Sequence, residues 1–333
     1  MRLLQSITAR ALLVAAFSLA CGLSATAGAR AQSAQDGGQG TSDVVSMDLL
    51  QAEKLTQAGN NKEALELLDR YISAHPNVAR ALVDRGDVYQ NSGDQAKAIA
   101  DYTAAIGVNP DYAYAYASRC ESRWDIDQSK EALADCSRAI ELNPNYGYAL
   151  RQRALVELDL DDSASAARDI DRAIDIDPNS ASNLSARCRV RLAQLQPAMA
   201  LTDCSAAITL DGDWPTPRFY RGRAEIQLEQ WTAAEADFTK YLELEPSGDN
   251  ARYWRATARF RLQQYAGALI DVNGYLKAHP DDGDGYLLLA NIQLGQGQRD
   301  AAREAANNAL RHYRIENDDS GAARAQTFLD SLQ

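Results

Sequence analysis

Small and apolar residues return along this chain at intervals of 34. Laid in rows of 34 from Val45, the sequence places Ala64, Ala98, Ala132, Ala166, Ala200, Ala234, Ala268 and Ala302 in one column, position 20. Position 8 is always small: Ala52, Gly86, Cys120, Ala154, Cys188, Gly222, Ala256 and Ala290. Proline falls at position 32, as Pro76, Pro110, Pro144, Pro178, Pro246 and Pro280, with Gly212 in the fifth row. Between these landmarks each row holds two helical stretches of about a dozen residues, parted near positions 15–17 by Gly, Asp or Gln. Where antiparallel helices cross closely, a side chain larger than Ala would hold them apart. Small residues at positions 8 and 20 therefore predict a helical hairpin. Proline ends its second helix. A lone hairpin cannot bury its apolar face, so stacked neighbours must supply the core.

Row two carries Leu82, Gly86, Tyr89, Gly93, Ala98, Tyr102, Ala105 and Pro110 in a pattern that resembles the tetratricopeptide repeat. The resemblance covers eight rows: 45–78, 79–112, 113–146, 147–180, 181–214, 215–248, 249–282 and 283–316. It implies an all-α, right-handed α-solenoid, a superhelix of eight helix-turn-helix hairpins. The chain departs from the pattern at position 11, which is aromatic or aliphatic only in Leu55 and Tyr89, and at Arg314, where the last row lacks its proline. Within 317–333, the stretch Ala322 to Leu332, with Phe328, Leu329 and Leu332 on one side, predicts a helix capping the last hairpin.

The first 44 residues break the periodicity. Arg2 and Arg10 give a basic start with no acidic residue up to Ala31, and Ala11 to Ala20 is apolar but too short to span a bilayer. Ala29-Arg30-Ala31 supplies small residues ahead of a cleavage point, with Ala25-Thr26-Ala27 as a second choice. Residues 1–31 thus predict a secretory signal peptide cut before Gln32, and a periplasmic or secreted mature protein. Cys21 admits a lipoprotein reading, although Ser18 stands where a lipoprotein signal usually has Leu. Residues 32–44, with Gly37, Gly38 and Gly40 among polar residues, predict a disordered leader.

Charge then narrows the partners. Without residues 1–31, 31 basic residues face 46 acidic ones, a net charge of −15. Such a field repels phosphate backbones and anionic lipid, so neither nucleic-acid nor peripheral membrane binding is expected, and no later stretch is apolar enough for the mature chain to insert in a membrane.

Three pairings follow from the register. Cys120 and Cys136, and Cys188 and Cys204, each stand 16 apart and join position 8 to position 24. In an oxidising compartment this predicts two disulfides, the alternative being four buried thiols acting as small core residues. Position 7 is Arg85, Arg119, Arg153, Arg187, Arg221 and Arg255 in rows two to seven. Position 23 is Asp101, Asp135, Asp169, Asp203, Asp237 and Asp271 in the same rows, which predicts a structural Arg–Asp bridge inside each hairpin. At position 11, Arg123, Glu157, Arg191, Glu225 and Arg259 alternate in sign. The alternation predicts attraction between neighbouring first helices and, with the cysteine offset, duplication of a two-repeat unit.

Catalytic chemistry is not expected. His75 and His279 precede proline at the same turn, and no pair of histidines has metal-ligand spacing. The run from Asp281 to Gly285 fails as a calcium loop, because its first ligand place would be Pro280. Asp159, Asp161 and Asp162 read as turn and cap residues. No phosphate loop or activated nucleophile is present, so neither cofactor nor metal is expected.

The resemblance also implies where a partner would sit, because first helices of such repeats line a concave groove through positions 2, 5, 9, 12 and 13. Those positions give Glu53, Asp87, Glu121 and Asp125 beside Tyr114 and Trp124 in rows one to three. Rows four to seven give Arg151, Arg189, Arg223 and Arg261 beside Phe219, Tyr253 and Phe260. Arginine and aromatic side chains dominate interface energetics. The expected partner is therefore a protein or extended peptide carrying carboxylates, held by Arg151, Arg189, Arg223, Arg261, Phe219, Tyr253 and Trp124. The asparagine–lysine carboxylate clamp of some relatives is absent, since Leu49 and Glu53 occupy its first two places. The function implied is a non-enzymatic scaffold; the alternative is a membrane-tethered lipoprotein adaptor or an accessory regulator of an envelope enzyme.

Overall fold

Seventeen helices and no strand make up the described residues, 46–333, of the computed structural model. The signal peptide, its cleavage point, the Cys21 lipid site and the 32–44 leader lie outside the described residues. The chain divides into two compact units, one ending at Gln194 and one starting at Leu195. The first contains α1 (Met47–Gln57) paired with α2 (Asn61–Ala74), α3 (Ala79–Asn91) with α4 (Gln95–Val108), α5 (Ala113–Trp124) with α6 (Ser129–Leu142), and α7 (Gly147–Asp159) with α8 (Ser163–Ile176). Helix α9 (Ala181–Ala193) completes it, packed on α7 and α8. The second unit opens with α10 (Pro197–Leu210). It continues with α11 (Thr216–Gln227) paired with α12 (Trp231–Leu244), α13 (Asp249–Arg261) with α14 (Tyr265–Ala278), and α15 (Gly283–Gly295) with α16 (Arg299–Ile315), and closes with α17 (Asp319–Ser331). The all-α solenoid of stacked hairpins expected from the 34-residue period is the fold adopted.

Two columns meet inside each hairpin, and their sizes compensate. Position 8 of the first helix faces position 24 of the second. Gly86 faces Tyr102 and Gly222 faces Phe238; a Cβ added at either glycine would come within 2.7 or 2.8 Å of the ring. Where position 8 is Ala, its opposite is Leu68, Ile170, Val272 or Ala306, all buried. In the third row the two places are cysteines, and Cys120 and Cys136 are bonded, S–S 2.03 Å. Packing at interior density allows only such complementary pairs. Cys188 lies in the first unit and Cys204 in the second.

The turn between paired helices requires a left-handed residue at position 15. Gly59, Gly93 and Gly297 supply it with φ of 76°, 79° and 77°, but Asp127, Asp161, Leu195, Glu229 and Gln263 adopt it too, at 57–62°. The conformation lets the next N–H return to the position-11 carbonyl, as in Gln264 to Arg259 at 2.8 Å. This satisfies a helix-end carbonyl whatever residue occupies the turn. Extended C-caps such as Asn109, Asn143 and Asp177 then lead into proline.

At the far end, Arg314 in place of proline lets α16 run 17 residues, to Ile315. Helix α17 packs on it through Ala325, Phe328 and Leu329, and Arg299 and Arg303 donate to the Leu332 carbonyl at 2.7 and 3.2 Å.

Candidate partner-binding face

Arginine at position 7 organises the inner hairpins before any surface is presented. Nε and Nη2 of Arg85, Arg119, Arg221 and Arg255 donate to both carboxylate oxygens of Asp101, Asp135, Asp237 and Asp271, at 2.6–2.9 Å. Arg153 holds Asp169 in the same fork. Arg187 and Asp203 fall in different units. The remaining nitrogen, Nη1, reaches back to position 25 of the preceding row: Asp69, Thr103, Ser137, Asp171, Ser205 and Thr239, at 2.8–3.4 Å. One guanidinium therefore ties its own hairpin together and joins it to the one before. The signal was present as an unbroken column of oxygen-bearing side chains at position 25.

Position 11 corrects the expected stripe between first helices. Arg123 and Arg259 turn inward and donate Nη1 to Asp135 and Asp271 at 2.7 and 2.8 Å, sharing the carboxylate already held by position 7. Glu157 and Glu225 occupy the same inward place, each with a buried oxygen lacking a hydrogen-bond partner. Desolvation, reinforced by the Asp169 charge, pushes Glu157 up to about 7. Desolvation and Asp237 push Glu225 up to about 8.

The first-helix face of the N-terminal unit is a polar and aromatic network. Asp87 accepts from the hydroxyls of Tyr102 and Tyr114 at 2.8 and 3.0 Å. Glu121 accepts from the Gln90 amide at 2.7 Å and from the Tyr148 hydroxyl at 2.5 Å. Arg80 joins Glu53 and Asp84, at 3.1 and 3.3 Å. Asp159 does more than the expected turn or cap role: it accepts from the Trp124 indole and from Arg189, the latter at 2.7 Å. Its neighbours keep simpler roles: Asp162 caps α8 through the Ser165 N–H at 3.0 Å, and Asp161 is the left-handed turn residue.

The residues expected to hold a partner differ in how much they present. Arg189 is only 7% exposed, clamped between Asp159 and the face of Trp124, with the guanidinium 5.5 Å from the ring centroid. Arg151 lies over Tyr148 and donates to Asn183 at 3.3 Å. Both serve the network internally. In the C-terminal unit Tyr253 is buried against Trp254 and Tyr275, and Phe219 packs on Phe238 and Tyr241. Arg223 lies over Trp254 at 4.7 Å, and Arg261 is exposed, stacked over Trp231 at 4.4 Å. Among the four expected residues of the C-terminal unit, Arg261 with its tryptophan is the exposed one, Arg223 and Phe219 being half-buried and Tyr253 buried.

The remaining polar clusters are accounted for by packing. His75 and His279 stack on Tyr71 and Tyr275 at C-caps. Asp282 caps α15 at the Gly285 N–H, and Asp284 accepts from Tyr313 and Arg324 of the closing elements. Among the described residues no group of three or more potential ligands is placed to hold a metal ion, and no helix is long and apolar enough to cross a membrane.

Comparison with known proteins gives the same architecture. The tetratricopeptide repeat family model matches residues 49–117, 121–181 and 220–283, more than half of the chain. No curated protein matches. Among solved structures, the anaphase-promoting-complex hetero-tetramer Cut9–Hcn1 superposes with a TM-score of 0.71 at 14% identity, over 91% of this chain and 59% of that one. This chain therefore spans less than two thirds of that protein. A tetratricopeptide repeat protein from Parabacteroides merdae gives 0.53 at 17% identity, over 76% of this chain and 98% of its own. The pilF protein of Pseudomonas aeruginosa gives 0.55 at 17%, over 65% and 96%. At these identities the likeness is one of fold.

Proposed function

Because this chain belongs to the tetratricopeptide repeat family, whose repeats serve as protein-interaction scaffolds, we propose that it is a non-enzymatic holder of a protein or extended peptide, working in the periplasm or extracellular space. The observation that carries the reading is the exposed face of the C-terminal unit. There exposed Arg261 lies over Trp231, a planar donor backed by an aromatic ring, and half-buried Arg223 lies over Trp254. A guanidinium braced on a ring loses little freedom on binding, and its fork matches a carboxylate. The guest at this face carries Asp, Glu or a terminal carboxylate.

Export is supported by the basic–apolar–small order of residues 1–31 and by the Cys120–Cys136 bond, which an oxidising compartment maintains. Mass analysis of the mature chain reads both: a Gln32 start without alkylatable Cys120 and Cys136 is expected, whereas an acylated Cys21 would make the chain a tethered adaptor. For the binding face, the double variant R223E/R261E should lower partner recovery from envelope extract by about tenfold or more while helicity is kept. Undiminished recovery would place the guest elsewhere. Arg189 is unsuited to this test, since its charge is buried against Asp159.

A further inference from the structure

Every acidic side chain on the first-helix face of the N-terminal unit described so far as meeting an arginine does so within hydrogen-bond distance: Glu53 and Asp84 meet Arg80, and Asp159 meets Arg189. Glu121 and Asp125 do not follow this rule. They stand one turn apart on and just beyond α5, where like charges repel. Each is held by neutral donors only. Glu121 accepts from the Gln90 amide and the Tyr148 hydroxyl, and Asp125 accepts from the Gln95 amide at 2.8 Å. Among the described residues neither is paired with an arginine or lysine.

An unsatisfied group accompanies this pair. Gln95 is 8% exposed, and while its amide nitrogen points at Asp125, its Oε1 has no hydrogen-bond partner. A buried polar atom without a partner costs free energy, and natural structures keep few of them. Here an orphan acceptor stands beside two carboxylates that no arginine or lysine pairs. Desolvation, with the Glu121 charge beside it, pushes Asp125 up to about 7, the response of a carboxylate lacking a cation.

We propose that Glu121 and Asp125, framed by Gln90, Gln95 and Tyr148, form a subsite for a basic side chain, arginine or lysine, of an extended peptide lying on the N-terminal unit. The proposal rests on the scaffold reading and names the guest chemistry for a face on which the sequence had placed weight on Arg151 and Arg189. A guanidinium or ammonium supplies donors to both carboxylates and to Gln95 Oε1, and it relieves the repulsion between the two charges. Tyrosine rings alongside favour the same cation from their faces. Arg80 and Arg189 are committed to Glu53, Asp84 and Asp159, and Arg151, over Tyr148, donates to Asn183.

The test uses the full mature chain and two dye-labelled, end-capped nonapeptides of glycine and serine, one with three arginines and one with three glutamates, followed by fluorescence anisotropy at fixed ionic strength. The basic peptide should bind and the acidic one should not bind at this subsite. E121Q/D125N should weaken the basic peptide by about tenfold or more, since charge-assisted hydrogen bonds become neutral ones. The same variant should melt no lower than the parent, because it removes repulsion and keeps the amide and hydroxyl contacts. Affinity for the basic peptide should rise between pH 6 and 8 as Asp125 ionises, and E121Q/D125N should remove that rise. R223E/R261E should leave it unchanged, which separates this subsite from the carboxylate-binding face. Basic-peptide binding undiminished in E121Q/D125N, or no preference for the basic peptide in the parent, would overturn the proposal. Partner recovery from envelope extract would still report on the scaffold reading.

Discussion

Glu225 shows how one side chain sets a pH dependence for the whole fold. It is 6% exposed, and its carboxyl is pushed up to about 8 by desolvation and by Asp237, far above the ordinary value it regains on unfolding. The folded chain therefore binds more protons than the unfolded one between these values, and stability falls as pH rises through that window. Glu157 and Asp125, each pushed up to about 7, act in the same direction. Thermal unfolding followed from pH 5 to 9 should show a lower midpoint on the alkaline side, and Glu225→Gln should flatten the decline. A midpoint independent of pH in the parent would refute this. Backbone strain offers a second test at this scale. Gln263 holds φ of 60° at the turn where three rows have glycine. Gln263→Gly should stabilise the chain by about 1 kcal/mol, the usual penalty of a left-handed residue with a Cβ. Neither effect was legible beforehand. Glu157 and Glu225 read as members of an alternating stripe, because sequence register cannot tell a side chain facing a neighbouring helix from one turned into its own hairpin. The turn residues Asp127, Asp161 and Gln263 gave a polar turn but not its handedness, which follows from the hydrogen bond returning to position 11.

Complementary volumes at positions 8 and 24 hold the hairpins, and in rows two, three, four, six and seven the arginine fork at position 7 adds to them. Gly86 has room for no methyl group, since its Cβ would meet Tyr102 at 2.7 Å. Gly86→Ala should destabilise by about 1–3 kcal/mol through overpacking, measured by denaturant unfolding. Tyr102→Leu in the same chain should recover part of that loss, because Ala opposite Leu is the pairing that Ala52 and Leu68 already use. No recovery would mean that the two columns do not share one volume. Asp135 accepts from both Arg119 and Arg123 and is 4% exposed. Asp135→Ala leaves two guanidinium groups without their acceptor and should cost about 3–5 kcal/mol. At this scale the letters carry much of the answer: the position-8, position-20 and position-32 columns mark helices, crossings and turns. What they omit is the second use of each arginine, because the reach of Nη1 to position 25 of the preceding row depends on how hairpins stack.

For the whole chain, periodicity is the strongest signal and charge the most misleading one. Eight rows of 34 establish stacked helical pairs, and the family match over residues 49–117, 121–181 and 220–283 agrees with them. The bulk acidity sets the mean field but does not identify which acids are already neutralised. Arg189 and Arg151 looked available because a sequence shows that an arginine exists, not that Asp159 or Asn183 occupies it. Conversely, Glu121 and Asp125 looked like two of many acids until their partners proved to be amides and a hydroxyl.

The scaffold account is tested most directly by site-specific photo-crosslinking in intact cells. Benzoylphenylalanine would be placed on first helices, at Asn91 of α3 and Arg261 of α13, and on second helices, at Met199 of α10 and Ile270 of α14, both of which are exposed. The account predicts protein adducts from Asn91 and Arg261 and none from Met199 or Ile270. Adducts confined to Met199 and Ile270, or absent from all four positions, would contradict it.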